Sequence, residues 1–119
     1  MKNELIERTK KFALDCWKLC SKIPKSREFN AYVYQLLKSS SSVGANYRAT
    51  QRAKSTADFI NKLKIVEEET DESVFWLEMF YEILHEFRPE IEVLKKEGTE
   101  LLAIFVASIN TVKRNKRNK

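Results

Sequence analysis

The stretch Leu36-Leu37-Lys38-Ser39-Ser40-Ser41-Ser42-Val43-Gly44-Ala45-Asn46-Tyr47 decides the fold. Its composition argues for a break: Ser offers the backbone competing hydrogen bonds and Gly carries an entropic cost in a helix. Its spacing argues the opposite. Val33, Leu36, Ser40, Val43 and Tyr47 recur at helical steps, in phase with Phe29 and Tyr32 before them. An unbroken apolar period outweighs local propensity, so one long helix is expected over 27–54. Its small-residue centre then marks where a neighbour approaches closely. Ser26 and Glu28 open it, and Arg48, Arg52 and Lys54 close it.

Outward from that segment, three more helices follow the same rules. Asn3 is a candidate N-cap for a helix over 3–22, with Glu4 and Glu7 at the positive end of its dipole. Its apolar side reads Leu5, Ile6, Thr9, Phe12, Ala13, Cys16, Trp17, Leu19, Cys20 and Ile23, and Pro24 ends it. The other side reads Arg8, Lys11, Asp15, Lys18 and Lys22, a mostly basic stripe. Ser55 or Thr56 caps a third helix over 56–86, whose seam is Phe59, Leu63, Val66, Thr70, Ser73, Leu77, Phe80 and Leu84. Arg88-Pro89 divides it from a fourth over 89–112, carrying Ile91, Leu94, Gly98, Leu101, Leu102, Phe105, Ile109 and Val112.

The expected fold is therefore all-α: an up-down-up-down four-helix bundle over 1–112, followed by a mobile basic tail over 113–119. Composition agrees. Two Gly in 119 residues are too few for a turn-rich β-sandwich or for a Gly-rich phosphate cradle. No apolar run is long enough for a membrane span. With no leader-like apolar segment and two free thiols, a cytoplasmic protein is expected.

The formal charge of +5 conceals a polarised chain. Residues 1–54 are net +8, residues 55–112 net −8 and residues 113–119 net +5. Such asymmetry points to a polyanion-binding face, or to basic and acidic elements packing together, the acidic third helix being the expected partner of the basic first half. Arg8, Lys11, Lys18, Lys22, Arg48 and Arg52 are the candidate phosphate contacts, with Tyr32, Tyr34 and Tyr47 near enough to stack on bases where exposed.

The third helix also holds more apolar surface than one seam can use. Nine of the eleven residues from Val74 to Leu84 are apolar. Trp76, Met79 and Ile83 form a second stripe beside the seam, and an apolar stripe of that size predicts a contact with another subunit.

Catalytic and metal chemistry find little to work with. His85 is the one histidine, Cys16 and Cys20 lie at i and i+4 on an apolar face, and the run Glu67-Glu68-Glu69 with Asp71 and Glu72 lacks the Glu-x-x-His pairs of a bundle-core metal site. Ser39 to Ser42 have no paired base. No enzyme activity, metal or cofactor is expected.

These residues also carry a resemblance. The block Leu37 to Arg48, then Gln51-Arg52-Ala53 and Ala57 to Leu63, resembles the four-helix-bundle family encoded within bacterial 23S rRNA intervening sequences. Arg8 to Ala13, Glu69-Thr70-Asp71-Glu72 with Trp76-Leu77-Glu78, and Glu100 to Ile109 fit as well. Ala49 and Thr50 stand where members often have Glu, and the acidic run at Glu67 is heavier than expected. The resemblance implies a homo-oligomer, typically a pentameric barrel. It also implies kinship with the accessory protein of diversity-generating retroelements, whose basic surface is associated with nucleic acid and a reverse transcriptase. The expected function is a non-enzymatic bundle binding nucleic acid, RNA before DNA, with docking of an acidic partner protein as the alternative.

Overall fold

Three polar side chains start three helices. Asn3 Oδ1 accepts from the Leu5 N–H at 3.0 Å, Ser26 Oγ from Phe29 at 3.0 Å and Ser55 Oγ from Asp58 at 3.1 Å. Each satisfies an otherwise orphaned N–H of a first turn. A computed structural model describes residues 3–118. The helices are α1 (Glu4–Lys22), α2 (Arg27–Thr50), α3 (Thr56–Ile83) and α4 (Arg88–Arg117), with a single 3₁₀ turn over His85–Phe87 before α4.

Each helix packs on its sequence neighbours, and α4 returns to α1, which gives the up-down-up-down bundle expected from the sequence. Three C-terminal boundaries differ from expectation, while α1 and α4 each begin one residue from the expected start. α2 stops at Thr50, because Thr50, Gln51 and Arg52 turn the chain toward the Ser55 cap. α3 stops at Ile83, since Leu84 leaves helical geometry and the 3₁₀ turn makes the corner. α4 continues through Arg117, five residues past the expected end at 112, so the basic stretch is helical over 113–117. Residues 1–2 and 119 of the expected ranges lie outside the described residues.

The serine-rich centre of α2 is helical throughout. Ser39, Ser40 and Val43 are buried, and the Ser73 hydroxyl of α3 donates to Ser39 Oγ at 2.9 Å. On its other side, a Cβ added to Gly44 would stand 3.5 Å from the Thr9 carbonyl oxygen of α1. Small side chains let both neighbours come close. Gly98 of α4 is more tightly held: an added Cβ would lie 2.8 Å from Val74 Cγ2 and 3.4 Å from the Phe12 ring.

The core runs the length of the bundle around Phe12, Leu19, Leu36, Leu63, Phe80 and Phe105. Burying each such side chain contributes about 1.5–3 kcal/mol relative to exposure. Phe59, expected on the α3 seam, is only half-buried, and Ile60 takes its place. Trp17 is the larger correction. It was expected on the apolar side of α1, yet it is 60% exposed. It sits a full 100° round the helix from Cys16, at the rim of an apolar arc that Phe12, Cys16 and Leu19 already fill.

Candidate nucleic-acid interface

The six candidate phosphate contacts separate into two groups. Arg8 Nε and Nη2 donate to Glu97 at 2.7 and 2.8 Å, with Glu100 at 3.3 Å. Donating to Glu97 holds the Arg8 guanidinium above its ordinary pKa, against the opposing effect of burial. Lys22 Nζ reaches both oxygens of Glu90 at 3.0 and 3.2 Å. Lys11 Nζ pairs with Asp15 one turn on, at 2.6 Å, and that bond raises the lysine. The basic stripe of α1 is thus matched mainly by acids of α4. The expected partner was the acidic third helix, but helix order in the bundle places α1 beside α2 and α4.

Lys18, Arg48 and Arg52 form the second group; all are exposed and make no ion pair among the described residues. Lys18 lies in the α1–α4 groove beside Asp15 and Glu90. Arg48 rims a groove between α1 and α2, and Arg52 follows it one turn later at the α2–α3 turn.

That turn meets a feature the charge count alone could not locate. Val112 of α4 lines one cleft with Thr50, Lys54, Ser55 and Phe59, so the last turns of α4 reach the same end of the bundle as Arg52 and Lys54. Lys113 sits close enough to Lys64 of α3 that repulsion lowers its pKa, with Arg117 contributing in the same direction. Arg114, Lys116 and Arg117 are exposed beyond them. Glu4 and Glu7 of α1 open at this end too, and Asp58 is held below the usual carboxylate range by Lys62 at 2.7 Å. Among the described residues at this end, eight cations besides the paired Lys62 remain: Arg48, Arg52, Lys54, Lys64, and the four from Lys113 to Arg117. The sequence signal for this pole was present in two distant segments, and only the antiparallel course of α2 and α4 joins them.

The three tyrosines also separate. Tyr47 is buried with its ring 5.8 Å from Phe105, and its hydroxyl accepts from Asn3 at 2.9 Å. Tyr32 packs at 5.0 Å from Trp76 and 6.2 Å from Phe80. Tyr34 alone of the three stands in solvent, 60% exposed.

Of the predicted subunit contacts, Trp76 is half-buried against Tyr32 and donates to Glu72 at 3.2 Å. Met79 is half-buried, and Ile83 is 46% exposed beside Phe29 and Tyr32. Phe75, not singled out by sequence, is 49% exposed next to Trp76. Cys16 and Cys20 are buried free thiols. Burial pushes Cys20 up to about 12, and burial together with the neighbouring Cys20 raises Cys16 in the same direction. Among the described residues no three His, Cys, Asp or Glu side chains gather as a metal site, and no helix is long and apolar enough to cross a membrane.

Fold and surface together define an all-α bundle with polarised charge. The chain belongs to the 23S rRNA-intervening sequence protein family, whose model matches residues 1–107. It is similar to the crystal structure of a protein of unknown function from the S23 ribosomal protein family of Bacteroides thetaiotaomicron VPI-5482. The two share 30% identity at a TM-score of 0.80, over 87% of this chain and 96% of the other. No curated protein matches the chain.

Proposed function

We propose that this protein is a non-enzymatic, homo-oligomeric bundle that binds nucleic acid, structured RNA in particular, through its cationic pole. One observation carries the reading: Lys54 of the α2–α3 turn and Val112 of α4 line one cleft, so the Lys113–Arg117 turns of α4 reach the end of the bundle that carries Arg48 and Arg52, with Lys113 near enough to Lys64 for the two to repel. A polyphosphate backbone neutralises such a cluster and releases its own counterions. The paired residues Arg8, Lys11 and Lys22 are then structural, and Arg48 and Arg52 are the phosphate contacts retained from the sequence reading.

Oligomerisation is supported by the apolar strip of Phe75, Met79 and Ile83, which the bundle leaves partly uncovered. A pentamer, as the family resemblance implies, would repeat the pole in every subunit and raise avidity for a long polyanion.

The test is binding of a labelled rRNA fragment at several salt concentrations. Neutralising Lys113, Arg114, Lys116 and Arg117 to Gln should weaken binding and flatten the salt dependence. Unchanged affinity and slope in that variant would remove the pole from the reading. Binding of an acidic protein but no RNA would favour a scaffold.

A further inference from the structure

The groove between α1 and α2 begins at the cationic pole and leads away from it. Ile6, Ala13, Ser41 and Gly44 line it, with the acid Glu7 and the cations Lys10 and Arg48 beside them, and its volume is about 560 Å³. Lys10 and Arg48 make no ion pair among the described residues. The two helices are antiparallel and cross where Gly44 meets Thr9. Moving away from the pole therefore means ascending α1 and descending the numbering of α2. Trp17 stands one turn beyond Ala13, and Tyr34 two turns before Ser41, so both border the continuation of this groove. Each is 60% exposed, and Leu14 beside Trp17 is 51% exposed.

Trp17 and Tyr34 are more exposed than the third solvent-facing ring, Phe75 of α3, which is 49% exposed. Tyr32, Tyr47, Phe12, Phe80 and Phe105 all have partners inside. Two rings in solvent along a groove whose polar end carries Lys10 and Arg48 suit a ligand with flat apolar faces and an extended phosphate backbone. A duplex hides its base faces and cannot use such rings, whereas unpaired nucleotides in loops, bulges or ends can.

We propose that Trp17 and Tyr34 form a stacking platform for unpaired nucleotides, whose phosphates Lys10 and Arg48 hold. The proposal rests on the nucleic-acid reading above and adds to it: the pole supplies affinity for any phosphate backbone, and the platform selects strands with free bases.

The experiment uses the full chain and two RNA probes with equal numbers of phosphates, a single-stranded oligouridine and a blunt duplex. Trp17→Ala and Tyr34→Ala change exposed side chains, and helical circular dichroism checks that each variant folds. Each should weaken oligouridine binding by about tenfold, the scale of one lost base stack, and leave duplex binding unchanged. In a Trp76→Phe background, where Trp17 is the remaining tryptophan, oligouridine should quench its emission and the duplex should not. If both probes bind the parent protein and Trp17→Ala loses neither, the platform is overturned and the pole stands. If the parent protein binds neither probe, both readings fall. If Trp17→Ala instead lowers the oligomer mass, the ring belongs to a subunit contact, and the platform is again overturned.

Discussion

Arg8 holds Glu97 with two parallel hydrogen bonds of 2.7 and 2.8 Å, across 89 residues of sequence. With Lys22–Glu90 further along, this pair closes α1 onto α4. The remainder of that seam is grooved, with Phe12, Asp15, Val93 and Leu94 lining it. Bidentate geometry makes the Arg8 pair stronger than an ordinary surface pair, but the two side chains are 34% and 28% exposed and so screened by solvent.

Glu97→Gln should therefore cost about 1 kcal/mol. Thermal unfolding should show a midpoint a few degrees lower, with the deficit shrinking as salt is added. An undiminished deficit in high salt would mean that the pair acts by packing instead of charge. Because Arg8 is already engaged, Arg8→Gln should leave RNA affinity intact while lowering stability.

The two glycines should respond in opposite senses to Ala. At Gly98 the new methyl would meet Val74 Cγ2 at 2.8 Å, so overpacking should cost about 1–3 kcal/mol, exceeding the gain in helix propensity. At Gly44 the nearest atom is 3.5 Å away, an ordinary contact, so Ala should be neutral or stabilise by up to about 1 kcal/mol. Chemical denaturation of the two single variants decides this. Equal effects would contradict the distinct packing of the two sites.

The buried thiols set an alkaline limit. Cys20 is raised from 9.0 to about 12, and Cys16 is raised in the same direction. A group whose pKa is raised on folding keeps its stabilising effect below the unfolded value and loses it as pH climbs toward the folded value. Stability should thus fall between about pH 9 and 12, and less so in Cys16→Ala/Cys20→Ala, provided that variant is compared with its own neutral-pH value. A thiol reagent at neutral pH should label both cysteines only after denaturant is added.

Subunit association should depend on the outward edge of α3. Light scattering at micromolar concentration should give a multiple of the chain mass, and Ile83→Asp should reduce it without loss of helical signal. A monomeric parent protein would refute the role given to Met79 and Ile83.

Most of the fold could be read from the amino acids because period and caps agreed. Asn3, Ser26 and Ser55 each cap the helix expected of them. The in-phase run from Val33 to Tyr47 overrode the propensity of four serines, and Ser39 and Ser73 show why, by hydrogen-bonding to each other across the buried α2–α3 interface. The ends were less legible. Lys113–Arg117 lacks apolar residues and so gives no periodic signal, although nothing in it opposes a helix. The candidate site was legible as charge but not as geometry. Whether Arg8 faces Glu97 or solvent depends on which helices become neighbours. Trp17 was misplaced because hydrophobic spacing gives a helical arc but not how much of it the neighbours can cover.

The thin α1–α4 seam has a kinetic consequence. The other three helix pairs join sequence neighbours through short connections, so their contacts close small loops. α1 must find α4 across nearly the whole chain, a closure with high entropic cost and few apolar contacts to offset it. The α2–α3–α4 unit is expected to assemble first, with α1 docking last and detaching first. In native-state hydrogen exchange, the amides of α1 should then open as a separate unit at a lower free energy than those of α3.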